Sequence, residues 1–363
     1  MSKLNIGMLG YGWMARVHTF GLKNINVNIN ASHSINLLAV SGRTESNLKA
    51  MAQKYGYKKY FQDWRQIVRD PEVNLIDNVM PPNVHKEPAI ATAEEGKAQI
   101  CEKPIAHTIP DAMEMVKAVE KAQTPNMVMF NYRYLPAIIR AKKWVEEGNL
   151  GKIFQCRFLY TKQSHLNPLR PFSWKDDPVI SGGGALIDLG VHVTDLVRHL
   201  VGDVTRIVSS NNRWIHSRPE SKGSTILKEV KTEDAAISIL KFKKGYLGIL
   251  EASKTSTGHP NTVRIEIHGS KGALMWNSER THELYLHHQD DGENNWRVEY
   301  LPYPYDDSYG RIGFGHVNAL ANFINHLETE GPSYPSFKDG LEALKMVEAS
   351  YRSAKEERWI NID

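Results

Sequence analysis

The sequence predicts an α/β protein of two domains: a parallel sheet covered by helices, then an α+β domain with a large, open-faced, mostly antiparallel sheet. The chain has 363 residues, more than one ordinary hydrophobic core accommodates. Short apolar segments alternate with helical patterns in the first part of the chain, which is typical of parallel sheets. Strand-like segments then follow one another across tight turns, which is typical of antiparallel sheets. We therefore place the domains at residues 1–126 and 127–363.

Each element of the first domain has a local reason. An apolar strand at 4–9 runs into a glycine-rich turn, and a helix begins near Trp13. Leu48, Met51 and Ala52 recur at the spacing of one helix face, and Gly96 ends a later helix. The other predicted strands are 35–40, 75–80, 98–101 and 127–130, and the predicted helices are 45–55, 64–69, 84–95 and 111–122.

The second domain is predicted mainly from hairpin signals. Lys243-Lys244-Gly245 separates two strand-like segments, and the stretch 269–272 separates two more. Helices interrupt the strands, and the last of them is expected to pack back on the body. The predicted strands are 152–162, 205–214, 235–242, 246–253, 262–268 and 273–277, and the predicted helices are 187–201, 317–328 and 340–354.

Composition excludes several classes of protein. Hydrophobic residues make up 41% and charged residues 24%, which is typical of a soluble globular protein. The net charge is only +4, with no Lys/Arg block for nucleic acid and no apolar run that could span a membrane. The first strand begins almost at once, so we expect no signal peptide. Cys101 and Cys156 lie in apolar, strand-like surroundings, which predicts buried thiols in the cytoplasm, neither disulfide-bonded nor metal-bound.

A glycine turn between the first strand and the first helix predicts a phosphate cradle. Gly10 and Gly12 let the backbone bend sharply and approach a pyrophosphate, and the helix that follows offers free amide hydrogens to the anion. In this context the turn predicts a Rossmann domain, although glycines at strand ends can also be structural only. The predicted cofactor-binding residues of the turn are Gly10, Gly12, Trp13, Met14 and Ala15.

The end of the second strand leaves the choice of dinucleotide open. An acid at this point would bind the ribose hydroxyls of NAD, but the residues here are Ser41, Gly42 and Arg43. A small residue beside an arginine could accommodate the 2′-phosphate of NADP. Alternatively, Arg43 stacks on adenine or faces solvent, so NAD and NADP both remain candidates.

Two turns follow later strands at the same edge of the predicted sheet, where ligands of such sheets bind. Pro81, Asn83 and His85 are predicted beside the nicotinamide ribose, or simply at a helix start. Glu102 and Lys103 follow the strand 98–101, and both are predicted at the cofactor. The Lys103 ammonium could also bind the substrate hydroxyl and favour a developing alkoxide. The alternative is an exposed lysine paired with Glu102.

Asp188 and His192 are predicted on one face of a helix, because they stand four residues apart after a run of glycines. The histidine could accept a hydroxyl proton, and the aspartate could bind a hydroxyl or orient the imidazole. A capping aspartate and a buried histidine are the alternative. Further polar and aromatic residues suit the hydroxyls and C–H face of a sugar ring or polyol. They are Asn131 and Arg133 beside the cofactor, and Tyr132, Gln163, His165, Arg170 and Trp174 beside the substrate.

Four motifs in this order make the chain resemble the glucose–fructose oxidoreductase/inositol dehydrogenase (Gfo/Idh/MocA) family over essentially its whole length. They are Gly10-x-Gly12-x-x-Ala15, Glu102-Lys103-Pro104, Gly183-Gly184-Ala185 and Asp188-x-x-x-His192. The resemblance implies a Rossmann domain and a C-terminal domain whose open sheet assembles dimers or tetramers. It also implies NAD or NADP, which can stay tightly bound, and hydride transfer from a secondary alcohol of a sugar, glycoside or cyclitol.

By the same resemblance, Lys103, Asp188 and His192 carry the catalytic roles, and residues 130–133 border the nicotinamide pocket. The loop 162–177 resembles that of members that oxidise glucosides or anhydrosugars, often at the C3 hydroxyl. Two alternatives stay open: a glycosidase that uses NAD with no net redox change, and a non-enzymatic sensor that binds dinucleotide and sugar.

Overall fold

The computed structural model describes residues 2–28, 33–292, 295–303, 310–327 and 334–362. Contacts divide the described residues into two compact units. The first comprises those within 1–135 and 304–341, and the second those within 136–303 and 342–363. Residues 127–135 and 304–341 thus group with the first unit, unlike the boundary predicted at 126. The predicted assignment of cofactor and substrate to separate domains stays a prediction.

The first unit is a parallel sheet with the order β3-β2-β1-β4-β5-β6 in the described residues. The order reverses between β1 and β4, and ligands of such sheets bind in the crevice at that point. The elements are β1 (Ser2–Leu9), α1 (Trp13–Asn28), β2 (His33–Ser41), α2 (Glu45–Tyr55), β3 (Lys59–Phe61), α3 (Arg65–Val68), β4 (Leu75–Asn78), α4 (Lys86–Glu94), β5 (Ala98–Cys101), α5 (Ile109–Ala122) and β6 (Asn126–Val128).

Local sequence accounts for most of these elements. The four residues of β4 are all buried, as expected of a parallel strand covered on both faces. Leu48, Met51 and Ala52 form the buried face of α2, as predicted, and Gly56 ends that helix in the left-handed conformation. Cys101 and Cys156 are both free, buried thiols, as predicted.

The second unit is built on a mixed, mostly antiparallel sheet with the order β16-β15-β14-β13-β7-β12-β11-β8-β17 in the described residues. Only β7 and β12 pair in parallel there. Its elements in chain order are α6 (Pro136–Glu146), β7 (Ile153–Thr161), α7 (Pro178–Ser181), α8 (Val191–Leu200), β8 (Val204–Asn212), β9 (Ser217–Pro219), β10 (Leu227–Glu229), β11 (Ala235–Phe242), β12 (Leu247–Ser253), β13 (Thr262–Gly269), β14 (Gly272–Asn277), β15 (Glu283–His288), β16 (Arg297–Tyr300) and β17 (Ile360–Asn361).

One face of this large sheet is buried and the other is open. Residues of β11 alternate between buried and exposed along the strand, which is the pattern of a sheet covered on one side. The predicted fold class, a Rossmann sheet followed by an open-faced and mostly antiparallel sheet, is confirmed.

Helix α9 (Gly310–Asn325) belongs to the first unit, although it follows β7 to β16 of the second along the chain. Its residues Val317, Leu320 and Phe323 share one apolar core with α1. A Cβ atom on Gly21 would lie 2.7 Å from the Leu320 side chain, so glycine allows the two helices to approach closely. The predicted end of this helix at residue 328 lies outside the described residues.

The last helix, α10 (Phe337–Glu356), crosses the division between the units at residue 341. Within the second unit, Ser353 accepts a hydrogen bond from the Ser209 amide at 2.9 Å. No helix in the described parts of the chain combines the length and the apolar character that a membrane crossing needs.

Candidate active site

The glycine turn of the first unit has the shape of a phosphate cradle. Gly10 has a φ of +116°, and its amide donates to the Ser41 carbonyl at 2.9 Å. A Cβ atom on Gly12 would meet nothing within 4 Å, so the space in front of the turn is open. Helix α1 begins directly afterwards, with Trp13 exposed and Ala15 buried. The turn therefore fits a dinucleotide pyrophosphate at the N-terminus of a helix.

Tyr11 covers the end of β2, which the sequence did not indicate. A Cβ atom on Gly42 would lie 2.1 Å from the Tyr11 ring, so only glycine fits beneath it. The Tyr11 hydroxyl donates to the Thr44 hydroxyl at 3.1 Å. Ser41 is buried and Arg43 is exposed, and a cavity of about 300 Å³ opens beside Tyr11 and Gly12, toward α2.

The turn after β4 is held from inside by His85. This ring is fully buried, with Nδ1 3.1 Å from the Ile105 carbonyl oxygen and Nε2 2.6 Å from that of Met80. Burial lowers the pKa of His85, which opposes the effect of the two carbonyls. His85 thus braces the turn instead of facing a ligand, whereas Asn83 is exposed and Pro81 is half-buried.

Glu102 also points into the unit. One carboxylate oxygen accepts from His18 Nε2 at 3.0 Å, and the other accepts from the Lys103 amide at 2.9 Å. His18 Nδ1 lies 2.9 Å from both carboxylate oxygens of Asp77 on β4. Contact of the Glu102 carboxylate with the cofactor, as predicted, would have to compete with these interior partners.

His18 and His316 are site residues that sequence reasoning missed. The only local signal for His18 was its place in α1, shortly after the glycine turn. His316 on α9 has its Nε2 3.7 Å from a Glu102 oxygen. The donor atoms of His18, Glu102 and His316 lie within 4.8 Å of one another, and all three residues are buried.

Lys103 itself is half-buried at the end of this network. The neighbouring turn at 131–134 is a 3₁₀ turn in which Asn131 and Tyr132 are buried. Arg133 contacts Asp339 at 3.4 Å, and a Cβ atom on Gly315 would lie 2.8 Å from the Asn131 carbonyl oxygen, so α9 packs tightly against this turn.

In the second unit, Asp188 lies in a π-helical turn, Leu186–Gly190, and His192 lies in the first turn of α8. The helix predicted over 187–201 is present, but its first turn is π-helical. A π turn has more residues than an α turn, and such turns are frequent at functional sites. The His192 ring is 9% exposed and lies 5.8 Å from the Tyr160 ring between centroids.

Two lysines, neither predicted, contact Asp188. Lys175 Nζ lies 2.9 Å from one carboxylate oxygen, and Lys254 Nζ lies 3.6 Å from the other. Lys254 is 1% exposed, and burial lowers the pKa of its ammonium while Asp188 raises it. The aspartate is thus held between two cations, which favours its ionised form.

The run of glycines before the π turn is required by packing. A Cβ atom on Gly183 would lie 2.2 Å from the Tyr351 hydroxyl, and one on Gly184 would lie 2.1 Å from the Glu233 carbonyl oxygen. The Glu233 carboxylate accepts from the amides of Gly184 and Leu186 at 2.9 and 2.8 Å. Glu233 therefore anchors the turn that presents Asp188, a role that no local pattern around Glu233 indicates.

The loop between β7 and the glycines is locked by a buried carboxylate. Asp176 is fully buried and bonds the Arg170 guanidinium, whose predicted role was substrate binding. His165 is buried, and burial together with nearby cations lowers its pKa to about 2, which keeps the ring neutral. Gln163 accepts from the Gly258 amide at 3.2 Å, and Trp174 is 41% exposed.

Both halves of the chain match one family of known proteins. The NAD-binding Rossmann fold of the Gfo/Idh/MocA oxidoreductase family matches residues 4–131, and the C-terminal α/β domain of that family matches residues 142–362. The chain belongs to this family. The predictions of family, of a nicotinamide dinucleotide as cofactor and of a dehydrogenase are thereby confirmed.

Among its relatives is a levoglucosan dehydrogenase of Pseudarthrobacter phenanthrenivorans, 31% identical, covering 100% of this chain and 99% of the relative. A myo-inositol 2-dehydrogenase of Thermotoga maritima is 26% identical over 99% of each chain. A structure of levoglucosan dehydrogenase with NADH and levoglucosan superimposes with a TM-score of 0.94 at 30% identity, covering 99% of this chain and 100% of that one. These relatives support neither the glycosidase nor the sensor alternative.

The open space at Gly12 yields a prediction for cofactor binding. In Gly12→Ala the added methyl group occupies the cradle, so we expect NADH to bind on the order of 10-fold more weakly or worse, measured by fluorescence titration. The melting temperature should stay near that of the wild type, because the methyl group meets no protein atom. Gly184→Ala is the contrasting control and should lower the melting temperature, since its Cβ overlaps Glu233. Unchanged NADH affinity in Gly12→Ala would contradict the proposed cradle.

The pKa of His18 yields a prediction for pH-dependent stability. Asp77 and Glu102 outweigh the effect of burial and raise this pKa to about 10 from an ordinary value near 6.5. The folded state therefore binds the proton more tightly than the unfolded state. The resulting stability is fully present below about pH 6.5 and is lost as the pH rises through about 10.

We expect the free energy of unfolding of the wild type, relative to His18→Gln, to decrease from pH 7 to pH 9.5 in urea titrations. Taking the difference between the two proteins removes the contribution of lysines and tyrosines that titrate in both. A difference that is constant over this range would show that His18 is not a buried cation.

Proposed function

We propose that this protein oxidises a ring hydroxyl of an anhydrosugar or glucoside with NAD⁺, favouring the C3 hydroxyl, and forms the corresponding ketone. The observation that carries the proposal is the placement of Asp188 between two lysines, four residues before His192. A carboxylate and an imidazole four residues apart on one helical segment suit a polyol whose hydroxyls must be oriented and deprotonated. The similarity to levoglucosan dehydrogenase over the full length supports the substrate class.

In the proposed mechanism each side chain has one task. His192 accepts the hydroxyl proton as general base. The Lys103 ammonium stabilises the negative charge that develops on the same oxygen. Asp188 accepts a hydrogen bond from a neighbouring hydroxyl, and Lys175 and Lys254 hold it in place. The turn 10–15 would hold NAD⁺, which would supply the acceptor for the hydride that leaves the carbon. The convergence of Lys103 and His192 on one carbon stays part of the proposal.

The substrate class is tested with a panel containing levoglucosan, methyl glucoside and myo-inositol, followed by NADH absorbance. We expect the highest kcat/KM with an anhydrosugar or glucoside. We also expect a primary isotope effect when the substrate carries deuterium at C3, and none when another ring carbon carries it. A preference for myo-inositol, or an isotope effect at another carbon, would contradict the substrate or the position that we propose.

Cytoplasmic location stays a prediction from the cysteines.

Replacement of the lysine tests the mechanism. In Lys103→Ala we expect kcat to decrease by about 10²–10³-fold, as when an oxyanion donor is removed, because nothing else is proposed to stabilise the alkoxide. NADH affinity and melting temperature should change little. Lys117→Ala, at an exposed position of α5, is the matched control and should behave as the wild type. Near-normal turnover in Lys103→Ala would refute the role of this residue.

We further propose that the open sheet face binds a second copy of the chain. Four aliphatic side chains on β11 and β12 are 42–55% exposed there, and Ile239 and Ile249 pair directly across the two strands. A cluster of this kind on one sheet face is typical of an interface. The four are Ile237, Ile239, Leu247 and Ile249.

Light scattering after gel filtration tests this interface. We expect the wild type to elute as an oligomer and Ile239→Lys/Ile249→Lys to dissociate, because two buried ammonium groups would lack partners. Met113→Lys, at an equally exposed apolar position in the first unit, should leave the mass unchanged. A wild type that is monomeric at micromolar concentration would rule out the interface.

A further inference from the structure

We propose that His18 is a positioning residue for Lys103: its Nε2–H donates a hydrogen bond that fixes Glu102, which in turn fixes the backbone at Lys103. The inference rests on the proposed role of Lys103 in hydride transfer. His18 touches neither the reacting atoms nor the cofactor in this proposal. It acts entirely through Glu102.

The contacts form a continuous chain of hydrogen bonds. Asp77 binds His18 Nδ1 at 2.9 Å, and His18 Nε2 binds Glu102 Oε1 at 3.0 Å. Glu102 Oε2 then accepts from the amide of Lys103 at 2.9 Å. His18 and Asp77 are fully buried and Glu102 is 5% exposed, so water does not compete for these bonds. The chain joins α1, β4 and the turn after β5.

The arrangement requires a protonated ring. Each ring nitrogen of His18 faces a carboxylate, and carboxylates only accept, so both nitrogens must carry hydrogen. In a neutral imidazole one ring nitrogen has a lone pair in place of a hydrogen, and that nitrogen could not donate to the carboxylate that faces it. The raised pKa of His18 agrees with this reading.

Other titratable groups face the same carboxylates. His316 on α9 lies 3.7 Å from Glu102. Burial alone would raise the pKa of Glu102, but His18 and His316 together hold it well below its usual range. Cys101 lies directly before Glu102 at the end of β5. Burial and the carboxylates of Glu102 and Asp77 raise the pKa of its thiol well above the ordinary value. His85 also experiences the charge of Glu102. With two carboxylates present, the His18 cation is the closest compensating charge.

A fixed backbone matters because Lys103 acts through a long, flexible stem. A displacement of about 1 Å in a catalytic group can cost about 100-fold in rate. Releasing Glu102 from His18 would free the carboxylate that holds the Lys103 amide. We therefore expect loss of the His18–Glu102 bond to reduce kcat more than it affects ligand binding.

Two isosteric variants separate the two bonds of His18. In His18→Gln the amide nitrogen can reach the position of Nε2 and keep the bond to Glu102. In His18→Asn the amide nitrogen can replace Nδ1, so that only the bond to Asp77 is kept. We expect His18→Asn to lose about 10- to 100-fold in kcat, with KM for NAD⁺ and sugar within about 3-fold, and His18→Gln to recover most of the loss.

A double-mutant cycle adds a readout that general destabilisation would not produce. If His18 acts through Glu102, His18→Asn combined with Glu102→Gln should be no slower than Glu102→Gln alone. Equal kcat in His18→Asn and the wild type, or additive losses in the cycle, would overturn the proposal. So would one metal ion per chain by elemental analysis together with loss of kcat on chelation, because a metal ion would then occupy the place of the proton.

The outcome for Lys103→Ala keeps this inference distinct from the proposed function. If Lys103→Ala retains turnover, the proposed function fails and takes the inference with it. If Lys103→Ala is inactive while folded His18→Asn turns over normally, only the inference fails. Melting temperatures and NADH titrations of every variant establish that each protein is folded and binds cofactor.

Discussion

The first unit depends on a buried ionic contact in which His18 lies between Asp77 and Glu102. Such a contact adds little net stability compared with apolar packing, but the loss of one partner costs about 3–5 kcal/mol, because a buried charge is left uncompensated. Its consequence is therefore placement. One helix, one central strand and the turn that carries Lys103 are held in a single arrangement at the edge of the sheet where a dinucleotide binds.

In the second unit, a carboxylate and a tyrosine hold the backbone segment that carries Asp188. In the mechanism that we propose, Asp188 acts as a carboxylate on a short segment that follows a run of glycines, and Glu233 and Tyr351 hold that segment. The Glu233 carboxylate accepts from two backbone amides and from the Tyr351 hydroxyl at 2.8 Å. Lys254 and Lys175 supply the charge that Asp188 needs. In both units, therefore, the predicted catalytic residue is exposed enough to act, while its orientation is set by side chains that lie deeper.

The predicted site residues separate into two groups. Gly10 has the positive φ, and Gly12 has the open space in front of it, that suit the predicted phosphate turn. His85, Glu102 and Arg170 were predicted at ligands because polar residues after strands usually face the crevice, yet their polar atoms bind interior partners. Residue type alone does not distinguish a side chain that contacts a ligand from one that supports it. Both must be polar, and both occur beside the same turns.

The sequence by itself determined most of the helices and strands, the glycine turn after the first strand and the family, because periodicity, glycine turns and short motifs depend on neighbours along the chain. It did not indicate α6, β15 or β16. Only the tertiary structure decided which side chains support the site. Glu102 meets His18 across 84 residues, and α9 joins the first unit although it follows β7 to β16 of the second. Such partners are brought together by packing, and a contact between distant segments leaves no local pattern from which it could be predicted.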